Sequence, residues 1–264
     1  MTMMDDTLQA DAERRFGGLR RLHGERDYAR LRAGRFAVVG LGGVGSWVVE
    51  ALARMGVARL VLIDLDHVAE SNINRQVQAL GSTVGMAKAE ALKQRVLDIH
   101  PGCEVVTIEE FVDDKNWPSL LGDVEVDGIV DACDQVRAKA QIAAWARSLM
   151  LPQVCVGAAG AKHKPQLVEV LDLSATTHDP LLASLRQRLR KEHGAPRQGS
   201  MAVSCVFSRE PVGRPPESCD LDGSLNCHGY GSSVAVTAGF GMVAAAELIA
   251  QYLKVLAHKQ KTVL

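Results

Sequence analysis

The chain has 264 residues, of which 47% are hydrophobic and 23% charged, and its formal net charge at neutral pH is -1. This composition supports a sizeable core and excludes a disordered protein, while the balanced charge excludes binding of nucleic acid by overall attraction. Any contact with RNA therefore needs a local basic patch. The six cysteines form no C-x-x-C pair and no secretory signal is recognisable, which favours a reduced, cytoplasmic setting without a tetrathiolate zinc site.

Residues 1–34 are predicted to form an N-terminal helical arm that is heavily charged and lies outside the core. Residues 35–160 alternate short apolar segments with amphipathic ones. Strands are predicted at 35–40, 59–64, 103–109, 127–132 and 153–158, and helices at 44–56, 86–99 and 135–149. This alternation is typical of the α/β class, and it predicts a doubly wound, mostly parallel Rossmann-like sheet.

Residues 161–264 are predicted to form an extension, packed on this core, that serves substrate binding and dimerisation. It should contain strands at 167–173 and 202–207, a basic helix at 179–193 that is a candidate RNA contact, and a loop at 208–233. The apolar run at 234–257 contains Glu247 and Gln251. Because a membrane span normally has about 20 residues with few polar groups, we expect a buried or interfacial helix and no membrane contact.

A glycine-rich turn lies between the first predicted strand and its helix. Gly40, Gly42 and Gly45 fit the pattern G-x-G-x-x-G, and Asp64 ends the second strand 19 residues after Gly45. This spacing lets phosphates bind at a helix N-terminus while the acidic side chain binds a ribose hydroxyl. The sequence therefore predicts a nucleotide site, although the glycines alone leave NAD, FAD and ATP open.

Charged residues downstream of the turn favour a triphosphate. Arg75 and Lys88 can stabilise charge on a transferring phosphorus and its leaving group. Asp134, at the end of the predicted strand 127–132, is a candidate magnesium ligand, since Mg²⁺ prefers carboxylate and phosphate oxygens. Asp131 shares this strand end and is expected to be structural, whereas Asp66 remains undecided between the two roles.

Together these residues form a pattern: G-x-G-G-x-G, D-x-D, N-x-N-R-Q, G-x-x-K and D-A-x-D, within residues 35–160. The pattern resembles the ThiF-type adenylating enzymes, relatives of the ubiquitin-activating enzymes. Within that family the resemblance is strongest to the tRNA-modifying branch, the threonylcarbamoyladenosine dehydratases. This narrower resemblance depends on four further segments: Arg15-Phe16-Gly17-Gly18, His178-Asp179-Pro180-Leu181, Cys205-Val206-Phe207-Ser208 and Cys227 before a Gly-Tyr-Gly turn.

The resemblance implies an enzyme that uses ATP and Mg²⁺ and acts on a modified adenosine beside the anticodon of a tRNA. It implies that the glycine turn, including Gly43, lies close to the phosphates and that Asp64 holds the ribose. It also implies phosphate contacts from Asn72, Arg75 and Lys88, and a magnesium contact from Asp134. Arg15 matches an arginine that reaches the other subunit's ATP in relatives, which implies a homodimer.

Three alternative functions remain open at this point. A ThiF-type enzyme can adenylate the C-terminus of a small sulfur-carrier protein, but the zinc-binding cysteine pairs of several such relatives are absent from this sequence. An NAD-dependent oxidoreductase would need neither Arg75 nor Lys88, and a non-catalytic ATP-binding scaffold would have no use for them. Cys227, beside His228, is a candidate thiol nucleophile. A sulfur-transfer protein is a further candidate partner.

Overall fold

The computed structural model of the chain describes residues 2–211 and 231–261, with side chains described between residues 12 and 258 of those ranges. The N-terminal half contains α1 (Thr2–Ala33), β1 (Arg35–Val39), α2 (Gly45–Arg54), β2 (Arg59–Ile63), α3 (Lys88–Ile99), β3 (Glu104–Ile108) and β4 (Gly128–Asp131). The C-terminal half contains α4 (Val136–Ser148), β5 (Gln153–Val156), β6 (Val168–Asp172), α5 (Pro180–Glu192), β7 (Ser204–Ser208) and α6 (Val234–Lys261).

The strands form one seven-stranded sheet in the order β3-β2-β1-β4-β5-β7-β6. All neighbours are parallel except β6 and β7, which are antiparallel. The predicted fold class is therefore confirmed. Because β7 pairs with β5, the sheet continues across residue 160 without a break. The carboxyl ends of the parallel strands share one edge, which is where open α/β sheets bind ligands.

Helices α2 and α6 pack against each other on one face of the sheet. The apolar positions of α2 and those of α6 belong to the same core cluster, which includes Val48, Leu52, Phe240, Ala244 and Leu248, all fully buried. The segment Val234–His258 is long and apolar enough to cross a membrane by length and composition alone. Of this segment, 44% is buried within the folded chain, where it packs against α2 and the sheet.

Helix α1 is kinked at Gly24, where φ is 76°. Its second half packs against the rest of the chain, because Tyr28 and Leu31 are buried and Leu31 belongs to the main core cluster. The Tyr252 hydroxyl of α6 donates to the carbonyl oxygen of Arg30 at 3.1 Å. Phe16 in the first half is buried as well, against His100. The expectation that residues 1–34 lie outside the core is therefore wrong for the apolar residues of both halves of the helix.

Candidate active site

The glycine turn joins β1 to α2 at the carboxyl edge of the sheet. At Gly40, where φ is 83°, an added Cβ would lie 2.7 Å from the backbone nitrogen of Cys133, and at Gly45 it would overlap the carbonyl oxygen of Gly40. These two positions therefore require glycine for close backbone packing. At Gly42 an added Cβ would meet nothing within 4 Å. The turn thus presents open space at the N-terminus of α2, where backbone N–H groups favour an anion.

Asp64 links the end of β2 to the glycine turn. Its side chain is only 8% exposed, and its two oxygens accept hydrogen bonds from the backbone N–H of Leu41 at 2.6 Å and of Asp66 at 2.8 Å. Burial raises the pKa of Asp64, although the charge of Lys88 and these two N–H groups oppose the rise. Since a carboxylate has about four lone-pair positions, Asp64 retains capacity to accept a ribose hydroxyl.

The Arg75 side chain runs beside the glycine turn. A Cβ added at Gly43 would lie 3.4 Å from both Cγ and Cδ of Arg75. The guanidinium Nη1 donates to the carbonyl oxygen of Ser71 at 2.7 Å and to Oδ1 of Asn74 at 2.9 Å. The structure therefore brings this sequence-predicted cation to the turn that should hold phosphates.

Two residues that the sequence analysis missed hold the backbone of Arg75. Trp47 of α2 donates its indole N–H to the Arg75 carbonyl oxygen at 2.9 Å, and Thr237 of α6 donates its hydroxyl to the same oxygen at 3.3 Å. No local sequence signal could have identified them, because Trp47 fits the apolar pattern of α2 and Thr237 lies 162 residues away from Arg75. The α2–α6 layer therefore fixes the position of Arg75.

Lys88 is the first residue of α3, two residues later than the predicted helix start at Met86. Its side chain is buried, and its Nζ lies 2.7 Å from Oδ2 of Asp66. The backbone N–H of Lys88 also donates to the carbonyl oxygen of Asp66 at 2.9 Å. Asp66, which the sequence left undecided, therefore anchors Lys88 at the carboxyl edge beside Asp64.

Asp131 and Asp134 lie in different environments. Asp131 is 3% exposed, and its Oδ1 lies 3.2 Å from Nζ of Lys139, so it is structural through an ion pair and not through a helix cap. Asp134 is exposed in the turn between β4 and α4. Among the described side chains, no group of three or more His, Cys, Asp or Glu could hold a metal ion.

Two other predicted site residues, Asn72 and Arg15, are engaged in contacts with the backbone. Asn72 is buried, and its Oδ1 accepts from the backbone N–H of Ala69 at 3.1 Å, so its oxygen stabilises the turn before Arg75. Arg15 donates to the carbonyl oxygens of Asp98 and Ile99 at 2.8 and 2.7 Å. These carbonyls lie at the end of α3 opposite to Lys88, about 17 Å away along the helix. Cys227 lies outside the described residues.

The arginines of the basic helix α5 are engaged within the chain. Arg186 donates to the carbonyl oxygens of Leu173 and Thr176, and Arg188 pairs with Glu192 at 3.0 Å. Arg190 donates to the carbonyl oxygens of Pro196 and Arg197. These three arginines therefore have structural roles within the chain, in the helix that the sequence made a candidate RNA contact.

The chain is similar to several known tRNA-modifying enzymes. The tRNA threonylcarbamoyladenosine dehydratase of Haemophilus influenzae is 39% identical over 247 residues, which cover 92% of this chain and 94% of that protein. The Escherichia coli dehydratase is 40% identical over 242 residues, covering 87% and 90% of the two chains. A crystal structure of the Escherichia coli enzyme in complex with ATP superposes with a TM-score of 0.84 at 38% identity, covering 93% of this chain and 96% of that one.

The model of the ThiF family matches residues 15–263, nearly the whole chain. The family resemblance predicted from the five motifs is confirmed by this match and by the two dehydratases. The chain belongs to the ThiF family.

Proposed function

We propose that this protein catalyses the ATP-dependent dehydration of threonylcarbamoyladenosine in tRNA, next to the anticodon. The observation that carries the proposal is the placement of Arg75 beside Gly43, with Lys88 buried at the same edge of the sheet. Identity of 39% to a dehydratase over 92% of the chain supports the substrate. The reaction closes the threonylcarbamoyl side chain into a ring.

The glycine turn fits the triphosphate of ATP. The open space at Gly42 would admit phosphate oxygens to the N–H groups of the turn, while a side chain there would fill that space. Arg75 and Lys88 supply positive charge, and Asp64 accepts from a ribose hydroxyl. Asn72 contributes mainly by holding the turn that precedes Arg75.

Asp134 fits a magnesium ion through the chemistry of its exposed carboxylate. Mg²⁺ is usually bound by one or two carboxylates together with substrate phosphates, so a larger cluster of acidic side chains is not required. When bound, the ion would neutralise phosphate charge. Asp134 is the residue that would hold it, while Asp131 stays occupied by Lys139.

In the first step, an oxygen of the threonyl carboxylate attacks the α-phosphorus of ATP. The bond from the α-phosphorus to the bridging oxygen breaks, and pyrophosphate leaves with its electron pair. Charge grows on the phosphoryl oxygens, where Arg75 and Lys88 stabilise it. Removing one such preorganised donor typically costs about 10²–10³ in turnover.

In the second step, the ureido group of the same side chain attacks the activated carbonyl carbon. The carbonyl–oxygen bond to AMP breaks, and the attacking group loses a proton. Well-oriented intramolecular attack reaches effective molarities of about 10⁵–10⁸ M. The ring therefore closes without a protein nucleophile, and Cys227 is assigned no covalent role.

The proposal extends to the assembly and setting of the enzyme. A homodimer would let Arg15 of one subunit approach the ATP of the other, as the family pattern implies. The enzyme would act on the anticodon stem-loop in the cytoplasm, where its tRNA substrate is found, and a sulfur-transfer protein is a candidate partner. The apolar helix α6 is used in the core, so no membrane contact is proposed.

Adenylation of a sulfur-carrier protein is the second candidate function. The molybdopterin-synthase adenylyltransferase of Escherichia coli is 33% identical over 124 residues, which cover only 47% of this chain. That partial match supports shared adenylation chemistry and not a shared substrate. An NAD-dependent oxidoreductase is disfavoured because it has no use for Arg75 at the phosphate turn or for Lys88.

The decisive experiment is mass analysis of the modified nucleoside after incubation of tRNA with enzyme, ATP and Mg²⁺. We expect the nucleoside to lose the mass of one water, with stoichiometric release of AMP and pyrophosphate. A Lys88→Met variant serves as the inactive control. An unchanged nucleoside, together with pyrophosphate exchange stimulated by a sulfur-carrier protein, would replace this function with the second candidate.

A further inference from the structure

A fully buried lysine that the reaction does not use lies beneath the candidate site. Lys139 of α4 is 0% exposed. Its Nζ donates to the carbonyl oxygen of Val156 at 2.8 Å and to that of Asp131 at 3.3 Å. These carbonyls belong to the last residues of β5 and β4, so one ammonium group ties together the carboxyl ends of two neighbouring strands.

The same ammonium holds the carboxylate of Asp131, at 3.2 Å. That carboxylate also accepts from the backbone N–H of Cys133 at 3.2 Å, from the Cys133 thiol at 3.0 Å and from the Cys155 thiol at 3.6 Å. Burial alone would lower the pKa of Lys139, but the charge of Asp131, the neighbouring Cys155 and Cys133 and the hydrogen bond to Asp131 together outweigh it and raise this pKa.

The turn held by this cluster packs directly on the glycine turn. The backbone N–H of Ala132 donates to the carbonyl oxygen of Val39 at 2.8 Å. An added Cβ at Gly40 would lie 2.7 Å from the Cys133 nitrogen, and one at Gly45 would lie 3.3 Å from Cβ of Ala132. A shift of residues 132–134 would therefore change both the glycine turn and the place of Asp134.

We propose that Lys139 is a positioning residue that fixes the turn 132–134, through Asp131, so that Asp134 faces phosphates bound at the glycine turn. This inference rests on the proposed function, since it assigns Asp134 to magnesium. A purely structural Lys139 would support the fold alone, and its loss would leave magnesium binding by the folded protein unchanged.

The test uses a neutral pair in place of the buried ions. Lys139→Met alone leaves the Asp131 carboxylate buried and unpaired, which is strongly destabilising, whereas replacing both ions is often tolerated. The main variant is therefore Lys139→Met/Asp131→Asn. Asp131→Asn alone is the second variant, because it is nearly isosteric and leaves the Lys139 ammonium its two carbonyl partners. Glu50→Gln is the matched control, because Glu50 is buried and pairs with Arg95 at 2.6 Å between α2 and α3.

Two measurements separate positioning from stability. Calorimetry compares the affinity for a non-hydrolysable ATP analogue with and without Mg²⁺, and circular dichroism confirms that each variant is folded. We expect the double variant to bind the analogue alone as the wild type does. The increase in affinity on adding Mg²⁺ should fall about 10–100-fold, the usual cost of losing a residue that supports a metal ligand. Asp131→Asn should show the same loss, and Glu50→Gln should show none.

Pyrophosphate exchange with modified tRNA provides the second measurement. Its rate should be lower in the variants that gain less affinity for the analogue on adding Mg²⁺. A folded double variant whose affinity for the analogue rises on adding Mg²⁺ as much as that of the wild type would overturn the inference. If the double variant does not fold, the same result for Asp131→Asn would overturn it. Absence of exchange in the wild type would instead count against the proposed function. The two failures are therefore distinguishable.

Discussion

Nζ of Lys88 lies 2.7 Å from Oδ2 of Asp66, and this ion pair joins the loop after β2 to the first turn of α3. Lys88 is buried while Asp66 is partly exposed, so the carboxylate holds the ammonium at the edge where ATP phosphates would arrive. The pair thus connects a residue predicted to be catalytic with one whose role the sequence left undecided.

The Lys88–Asp66 pair predicts graded effects on adenylation. Lys88→Met should lower the rate of ATP–pyrophosphate exchange by about 10²–10³, because it removes a preorganised charge. Asp66→Asn keeps the lysine but removes the charge that holds its ammonium in place, and should lower the rate by about tenfold. Exchange by Asp66→Asn at the wild-type rate would show that Asp66 does not position Lys88.

Two glycines of the same turn should respond to alanine in opposite ways. A methyl group at Gly42 enters open space, so Gly42→Ala should unfold at the wild-type urea concentration but bind ATP about 10–100-fold more weakly, by occupying phosphate space. A methyl group at Gly45 overlaps the Gly40 carbonyl oxygen, so Gly45→Ala should lose about 1–3 kcal/mol of stability. Urea unfolding and calorimetric ATP binding check both effects, and tight ATP binding by Gly42→Ala would contradict the phosphate assignment.

Trp47→Phe tests whether the α2–α6 layer positions Arg75. The substitution removes the indole donor to the Arg75 carbonyl oxygen and should cost about 1 kcal/mol of unfolding free energy. Because Arg75 would shift beside Gly43, the KM for ATP should also rise. Trp145→Phe is the matched control, since Trp145 packs on Trp117 with ring centroids 5.2 Å apart. Equal KM values in both variants would show that the Trp47 hydrogen bond has no part in ATP binding.

The glycine turn, Asp64 and the alternating strands could be predicted because each depends on residues close together in the sequence. The glycines meet a steric requirement of one turn, and Asp64 follows them at a spacing set by one strand–helix–strand unit. The antiparallel pairing of β6 with β7 had no such local signal, because it joins strands separated by α5. The burial of the second half of α1 was missed for a related reason, since its partner α6 lies more than 200 residues away in the sequence.

Lys139 shows most clearly what the sequence could not provide. A lysine within a helical segment is usually exposed, since lysine is almost never fully buried unless it is paired. Its partners Asp131 and Val156 lie at the ends of two different strands, and only the sheet order brings them together. Trp47 and Thr237 were missed in the same way, because both act on the backbone of a distant residue.

His100 predicts a pH dependence of stability at the junction of α1 and α3. It is buried against Phe16, with ring centroids 4.8 Å apart, and its Nε2 lies 3.2 Å from Nη1 of Arg32. Burial lowers the pKa of His100 from its usual 6.5 to about 4, and the charges of Arg32 and Arg15 add to this decrease. The folded protein therefore keeps this imidazole neutral at pH values where the unfolded chain protonates it.

The direction of this pH dependence follows from proton uptake by the unfolded chain. Between pH 6.5 and about 4 the unfolded state binds one more proton at His100 than the folded state does, so unfolding becomes easier as pH falls through this range. The contribution of the neutral His100 to the free energy of unfolding is complete above pH 6.5. Its loss by pH 4 amounts to at most about 3 kcal/mol. His100→Gln keeps an acceptor for Arg32 but cannot titrate. Urea unfolding at several pH values across this range should therefore give a smaller pH dependence for the variant than for the wild type, and identical slopes would mean that His100 titrates normally in the folded protein.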